Sequence, residues 1–305
     1  MQDLLLARPP WFLAGPVLGL CVVALRATIN GRLGVMDGFS DVVERLSARS
    51  LRLGWTGCLL LGLVGGAAVF TVLSGGGRLG SGYGWLTREF SGWTTAALLV
   101  ASGALIGYGT KTAGGCTSGN GPQRQRDPLT CQPCRNGDVL RHGRGGDVRD
   151  EMALRSRRLM RAAATAVGLV FCFTLAWSGM SEPDVIRRGL LFEDLYLFGL
   201  FLTALATASA GVHMLRRVRA RALVTGERIG WETLRPERRH IGGSVVFGIG
   251  WSISAACPGP IAAQLGGGLL WSVPTIVVVA LGIKLYLVRG RADAPAPSEL
   301  TATVS

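Results

Sequence analysis

The chain has 305 residues, 49% of them hydrophobic and 17% charged, with a formal net charge of +13 and a mean hydropathy of +0.37. Soluble domains carry about 25% charged residues and about 7% glycine, whereas here glycine reaches 45 of 305, which argues against a soluble two-domain enzyme. The long apolar runs exclude a disordered chain, and seven cysteines are too sparse for a secreted disulfide scaffold.

Apolar stretches near the length that crosses a bilayer, about 17–25 residues, fall near 11–25, 55–73, 93–108, 159–177, 195–214, 241–256 and 271–288, of which 11–25, 93–108 and 241–256 are short enough for tilt or partial penetration. Tryptophan near many of their ends suits the interfacial aromatic belt. Lysine occurs only at Lys111 and Lys284, so the positive charge is nearly all arginine and lies between the apolar stretches. That distribution follows the positive-inside rule, not the continuous basic face of a nucleic-acid binder, so no nucleic acid is expected as a partner. Loop 26–52 carries five arginines, while 74–91 carries only Arg78 and Arg88. Segments 122–158 and 216–240 are again arginine-rich. Placing the rich loops in the cytoplasm gives seven crossings, with the N-terminus outside and the C-terminus inside. The acidic start at Asp3 and the missing small-residue cleavage site predict no cleavable signal peptide. The tail 291–305, with Pro295 and Pro297, is expected to be disordered.

One internal repeat stands out. Gly107 and Gly109 precede Cys116 by nine and seven residues within GYGTKTAGGCTSGNG, and Gly248 and Gly250 precede Cys257 by the same spacings within GIGWSISAACPGP. Each cysteine follows two small residues, Gly114-Gly115 or Ala255-Ala256, and precedes a break rich in glycine or proline. The charge assignment runs the first of these spans inward and the second outward. The expected fold is therefore all-α: a polytopic membrane protein of two inverted-repeat halves, with interrupted or re-entrant helices at the cysteine motifs. Non-helical backbone at membrane depth is tolerated only inside protein or beside a wet cavity, and amides at a helix start attract anions. A thiol there is a weak, polarizable donor suited to a soft sulfur ligand. Lys111 reads equally as a local attractor of anions or as a lysine snorkelling at a helix end. Cys21, Cys58 and Cys172 sit on apolar spans and read as packing residues.

Four stretches, NGRLGVMDGF (30–39), GGCTSGNG (114–121), SGMSEP (178–183) and ACPGP (256–260), resemble the YeeE/YedE sulfur-transport family. The resemblance covers most of the chain outside about 122–150. It implies an inner-membrane, multi-pass protein that passes thiosulfate or a related sulfur anion along pore cysteines, without a cofactor. Carried over by position, Cys116 and Cys257 would be the relay thiols. Gly114, Gly115, Thr117, Ser118, Gly119 and Gly121 would shape one constriction, and Pro258, Gly259 and Pro260 the other. The family often has histidine where this chain has Asn120, and Cys21 lacks the surroundings of the further cysteine that some members carry.

The organisation expected is a first membrane half over 1–121, a polar connector over 122–158 and a second half over 159–290. The connector departs from the repeat, which calls for an apolar helix there. Cys131 and Cys134 form a CxxC pair, but no fourth zinc ligand or βαβ context accompanies them. Arginine's excess over lysine points to a G/C-rich gene. Back-translated with permitted third bases and read one base later, 135–148 becomes a run of alanine, threonine, phenylalanine and valine. A reading-frame slip after Gly121 accounts for this, and Met152 is an alternative start for a separate second half.

A transporter is the leading function, with a cytoplasmic sulfur-carrier protein as a possible docking partner on the arginine-rich face. The alternative is a membrane sulfurtransferase or thiol oxidoreductase using the same cysteines covalently. No GxxxxGK[ST] motif is present for direct ATP drive, and His142, His213 and His240 lie outside the cysteine cassettes.

Overall fold

The computed structural model describes residues 8–47, 49, 53–75, 83–113, 146–230 and 238–292. These form eleven helices: α1 Trp11–Ile29, α2 Val35–Ser47, α3 Trp55–Leu73, α4 Gly84–Glu89, α5 Gly92–Thr112, α6 Gly146–Trp177, α7 Pro183–Leu190, α8 Tyr196–Arg217, α9 Arg238–Ser254, α10 Pro258–Gly266 and α11 Ser272–Ala292. Among the described residues there is no strand, only one isolated bridge between Arg221 and Arg228. Five segments are long and apolar enough to cross a membrane: Trp11–Ile29, Trp55–Leu73, Leu154–Trp177, Tyr196–Arg217 and His240–Gly266, with Ser272–Val288 a shorter apolar helix. The chain is a polytopic, all-helical membrane protein. Its outer side chains, among them Leu61, Leu202 and Val277, are exposed apolar groups of the kind a bilayer covers.

Residues 146–158, the end of the connector expected from composition, form the first turns of α6, which runs for 32 residues. The short helices α2, α4 and α7 also lie between the apolar runs. The arginine-rich loop after α8 docks on α1: the amides of Leu223 and Val224 donate to the carbonyls of Ala27 and Thr28 at 2.9 Å each. Those carbonyls belong to the last turn of α1, where no helical amide remains to pair them. Arg26, only 9% exposed, donates to the Asn30 carbonyl at 3.4 Å and to the Gly230 carbonyl.

Packing relates the two halves by exchange. The first helix of each half lies along the second long helix of the other, α1 on α8 and α6 on α3. Gly15 and Gly19 leave α1 no room for side chains against Leu200–Thr207 of α8, numbers rising together. In the same way Gly62 and Gly66 of α3 meet Thr165 and Leu169 of α6. Both pairs are therefore parallel. Helices α5 and α9 instead cross antiparallel and reciprocally: Gly109 faces Phe247, and Gly250 faces Leu105 and Ile106. Contacts of i with j and j with i are the mark of two-fold symmetry, here between two halves of one chain. Small residues let such helices approach closely enough for dispersion to hold them in lipid. At the centre a cluster including Leu25, Phe39, Leu63, Cys172, Ile261 and Ile283 joins both halves.

Candidate functional site

The second cysteine motif is a helix break. Helix α9 stops at Ser254, Ala255 takes a left-handed φ of +48°, and α10 restarts at Pro258 with Cys257 as its N-cap in extended conformation. Proline at the first helical position carries the φ a helix start needs and lacks an amide that would be unpaired there. The Ser254 hydroxyl, fully buried, braces the break by donating between the carbonyls of Gly250 and Ala256 at 3.2 Å each. Helix α10 has nine residues, about 14 Å of rise and too short to cross a bilayer. Its residues from Pro258 to Gln264 are all buried. It is an interrupted segment enclosed by α3, α6 and α11.

The N-terminus of α10 offers few free amides. Of the four amides outside a helix's own ladder, Pro258 and Pro260 remove two, leaving those of Cys257 and Gly259. The Cys257 thiol does not cap the helix, and it forms no disulfide. Cys257, Gly259 and Pro260 line a cavity of about 440 Å³ together with Leu33, Met180 and Trp251. Three separate stretches of sequence thus meet at one cavity. Leu33 and Val35 come from 30–39, Met180 from 178–183, and Cys257, Gly259 and Pro260 from 256–260. The walls are almost wholly apolar, and they carry two soft sulfur-bearing side chains, those of Cys257 and Met180.

Pro258 is buried at the same helix start but is not part of the cavity lining. Lys111 stands apart, at the end of α5, with Nζ 3.6 Å from Asp37 Oδ1 on α2. The structure gives its charge a carboxylate partner. Gly114, Gly115, Cys116, Thr117, Ser118, Gly119 and Gly121 lie outside the described residues, as do Cys131 and Cys134. Cys21 and Cys172 are buried packing residues and Cys58 is half-buried.

Sequence reasoning missed Gln264. It is fully buried on α10. Its Oε1 accepts from the Tyr83 hydroxyl at 3.3 Å, while its Nε2 meets no acceptor among the described residues. Gln264 lies seven positions beyond Cys257, about two helical turns and 10 Å further along the same face. A lone glutamine in an apolar run was the available signal, since a buried amide needs partners for its two donors.

A family profile described as sulphur transport matches residues 171–301. A protein of Xylella fastidiosa strain Temecula1 described as a probable transporter is 31% identical over 130 residues, 85% of its length and 40% of this chain. The counterpart in strain 9a5c, with the same description, is also 31% identical over 130 residues, 86% of its length. These relatives are about half as long as this chain. No solved structure matches significantly. The match to the sulphur-transport profile takes in α7 to α11 and the Cys257 break, and with relatives aligned over most of their length the chain belongs to the sulphur transport, or YeeE/YedE, family.

Proposed function

We propose that this protein is an inner-membrane transporter that passes thiosulfate, or a related sulfur-containing anion, inward through the Cys257 break. One observation carries the reading: the convergence of three motif-bearing segments on a single cavity with the Cys257 thiol in its wall. An anion leaving water must find donors, because unpaired charge in an apolar site is costly. The donors this segment carries are few: the Cys257 thiol, the amides at the start of α10, and Gln264 Nε2 further along it. Weak S–H···S and S–H···O bonds replace part of the hydration shell without trapping the ion, which conduction requires. Thiosulfate suits such a site because its terminal sulfur is a large, soft acceptor. Cys116, by the repeat, supplies the matching thiol in the other half. The carboxylate of Asp37 beside Lys111 makes that lysine a weak contributor to anion attraction. A cytoplasmic sulfur carrier would receive the ion on the arginine-rich side.

The test is uptake of labelled thiosulfate by cells lacking their own thiosulfate transport, with variants compared at matched membrane levels. Cys257→Ala and Cys116→Ala are each expected to abolish uptake, and Cys257→Ser to retain a part of it through its hydroxyl donor. Full uptake by Cys257→Ala would overturn the relay. Complete loss in Cys257→Ser with a persulfide on the native cysteine would favour the covalent alternative.

A further inference from the structure

Two loops meet on the side of the bundle where α1 begins. Arg8 reaches the Ser178 carbonyl and Asp194 there. The segment after Ser178 then meets the start of α4. Asp184 Oδ1 accepts from the Trp85 amide at 3.4 Å, and the Arg187 guanidinium lies over the Trp85 ring, 4.9 Å from its centre. The charge distribution of the loops assigns this side to the outside. Met180 and Ile186 of the same segment line the cavity that holds Cys257. Tyr83, two residues before Trp85, reaches Gln264 on α10. The contact between these loops therefore adjoins the cavity and α10 on that side.

Three donor groups in this contact are unused. The indole Nε1 of Trp85 and the hydroxyl of Ser181 are buried atoms with no hydrogen-bond partner among the described residues. Each unpaired buried donor costs about 1–3 kcal/mol, so two of them on segments that meet point to a ligand that pairs them. Arg187 is exposed and makes no ion pair among the described residues. Stacking on the ring fixes the plane of its guanidinium and leaves the N–H edge free, the arrangement that grips an oxyanion by two parallel bonds. Lys111, the other candidate for attracting anions, is at the opposite end of α5 and is paired with Asp37. Asp184 is the opposing charge here, and its carboxylate is engaged by the Trp85 amide.

We propose that Trp85 Nε1, Ser181 Oγ and the Arg187 guanidinium form an outer capture site for a small, doubly charged oxyanion. The identity of the natural ligand rests on the transporter reading: the site takes the oxygen-bearing end of thiosulfate before its terminal sulfur reaches Cys257. A phospholipid phosphate offers the same chemistry, but two of the three donors are buried atoms, which suits a free ion better than a headgroup tethered to acyl chains.

The test uses the full chain in detergent and inorganic sulfate as the probe, because sulfate has the oxygen face without the soft sulfur. The native protein should bind labelled sulfate, and Arg187→Gln and Trp85→Phe should each weaken that binding about tenfold. Arg187→Lys should recover only part of it, since it restores the charge without the fork. Asp184→Asn removes the opposing charge and should strengthen binding, while Cys257→Ala should leave it unchanged. Trp85→Phe keeps the ring under Arg187 and deletes an orphan donor, so its unfolding temperature should not fall. In thiosulfate uptake, Arg187→Gln should raise KM about tenfold with little change in maximal rate. No sulfate binding by the native protein, or equal binding by Arg187→Gln, overturns the proposal. So does native mass spectrometry showing phospholipid, in place of sulfate, held in an Arg187-dependent way. Sulfate binding with the expected variant effects, but no thiosulfate uptake by the native chain, would keep the capture site and overturn the transporter reading.

Discussion

The hydroxyl of Tyr83 donates to Oε1 of Gln264 at 3.3 Å, and the other end of the same buried amide has no acceptor among the described residues. An unpaired buried donor costs about 1–3 kcal/mol, so its retention on α10, two turns from Cys257, calls for a compensating role. Gln264→Leu is expected to lower thiosulfate uptake by about tenfold, the equivalent of about 1.4 kcal/mol of lost interaction. Stability should change little, because the substitution removes one orphan donor and creates another at Tyr83. The double variant Gln264→Leu, Tyr83→Phe replaces both partners and should unfold at a higher temperature while still transporting poorly. Undiminished uptake by Gln264→Leu would show that the amide is structural only.

Cys257 differs from the other described cysteines in where it sits. Cys21 and Cys172 are buried among packed helices, whereas Cys257 lines the 440 Å³ cavity. In a variant that keeps Cys257 as its one cysteine, alkylation by a small maleimide should be slowed by thiosulfate and unaffected by sulfate. Both anions carry the same charge, so a difference isolates the soft sulfur atom from electrostatics. Equal protection by the two would leave Cys257 as a general anion contact.

The break before Cys257 stores backbone strain at Ala255, whose φ is +48°. A left-handed conformation costs a non-glycine residue about 1–2 kcal/mol, and glycine returns about 0.5–1 of that through its own lost entropy. Ala255→Gly is therefore expected to raise stability by up to about 1 kcal/mol. Ala255 is 3% exposed, so Ala255→Val adds both crowding and a β-branched residue where φ is positive, and should cost well over 2 kcal/mol. Thermal unfolding in detergent of the two variants, side by side, reads the difference. Equal unfolding temperatures would mean that the α9–α10 junction relaxes.

The sequence made the long helices legible because their apolar runs are bounded by arginine or tryptophan. The paired cysteine cassettes gave the inverted relation of α5 and α9. What composition could not give was their reciprocal contact, in which Gly109 meets Phe247 and Gly250 meets Ile106, because apolar runs carry no record of which faces meet. The same limit hid the meeting of Leu33, Met180 and Cys257 at one cavity, though each lies in a stretch that the family resemblance had marked. Residues 146–158 are polar in composition and still helical, since arginine and glutamate are good helix formers, and they open α6. Gln264 passed unnoticed because a single amide in an apolar stretch becomes informative only when its partners are known.

Arg8 and Asp194 tie the start of α1 to the start of α8. The guanidinium donates to Asp194 Oδ2 at 2.8 Å and to the Ser178 carbonyl at 3.2 Å, and it lies 4.6 Å from the Tyr196 ring centre. The Tyr196 hydroxyl in turn donates to the Pro9 carbonyl at 2.7 Å. The Asp194 carboxyl is held below its usual range first by the Tyr196 amide, which donates to it at 2.9 Å, and then by Arg8. A carboxyl depressed in the folded state stabilises it above the ordinary value of about 3.9, and that contribution fades as pH falls through the lower, folded value. Both side chains are more than one-third exposed, so solvent screening keeps the ion pair's own share below about 1 kcal/mol. Asp194→Asn keeps an acceptor for the Tyr196 amide and removes the charge. It should unfold at a slightly lower temperature than the native protein at pH 7, with the gap beginning to close as the pH falls below about 3.9. Unfolding temperatures of the two proteins across pH 3–7 test this, and a gap that stayed constant over that range would mean that the carboxylate's charge has no part in holding α1 to α8.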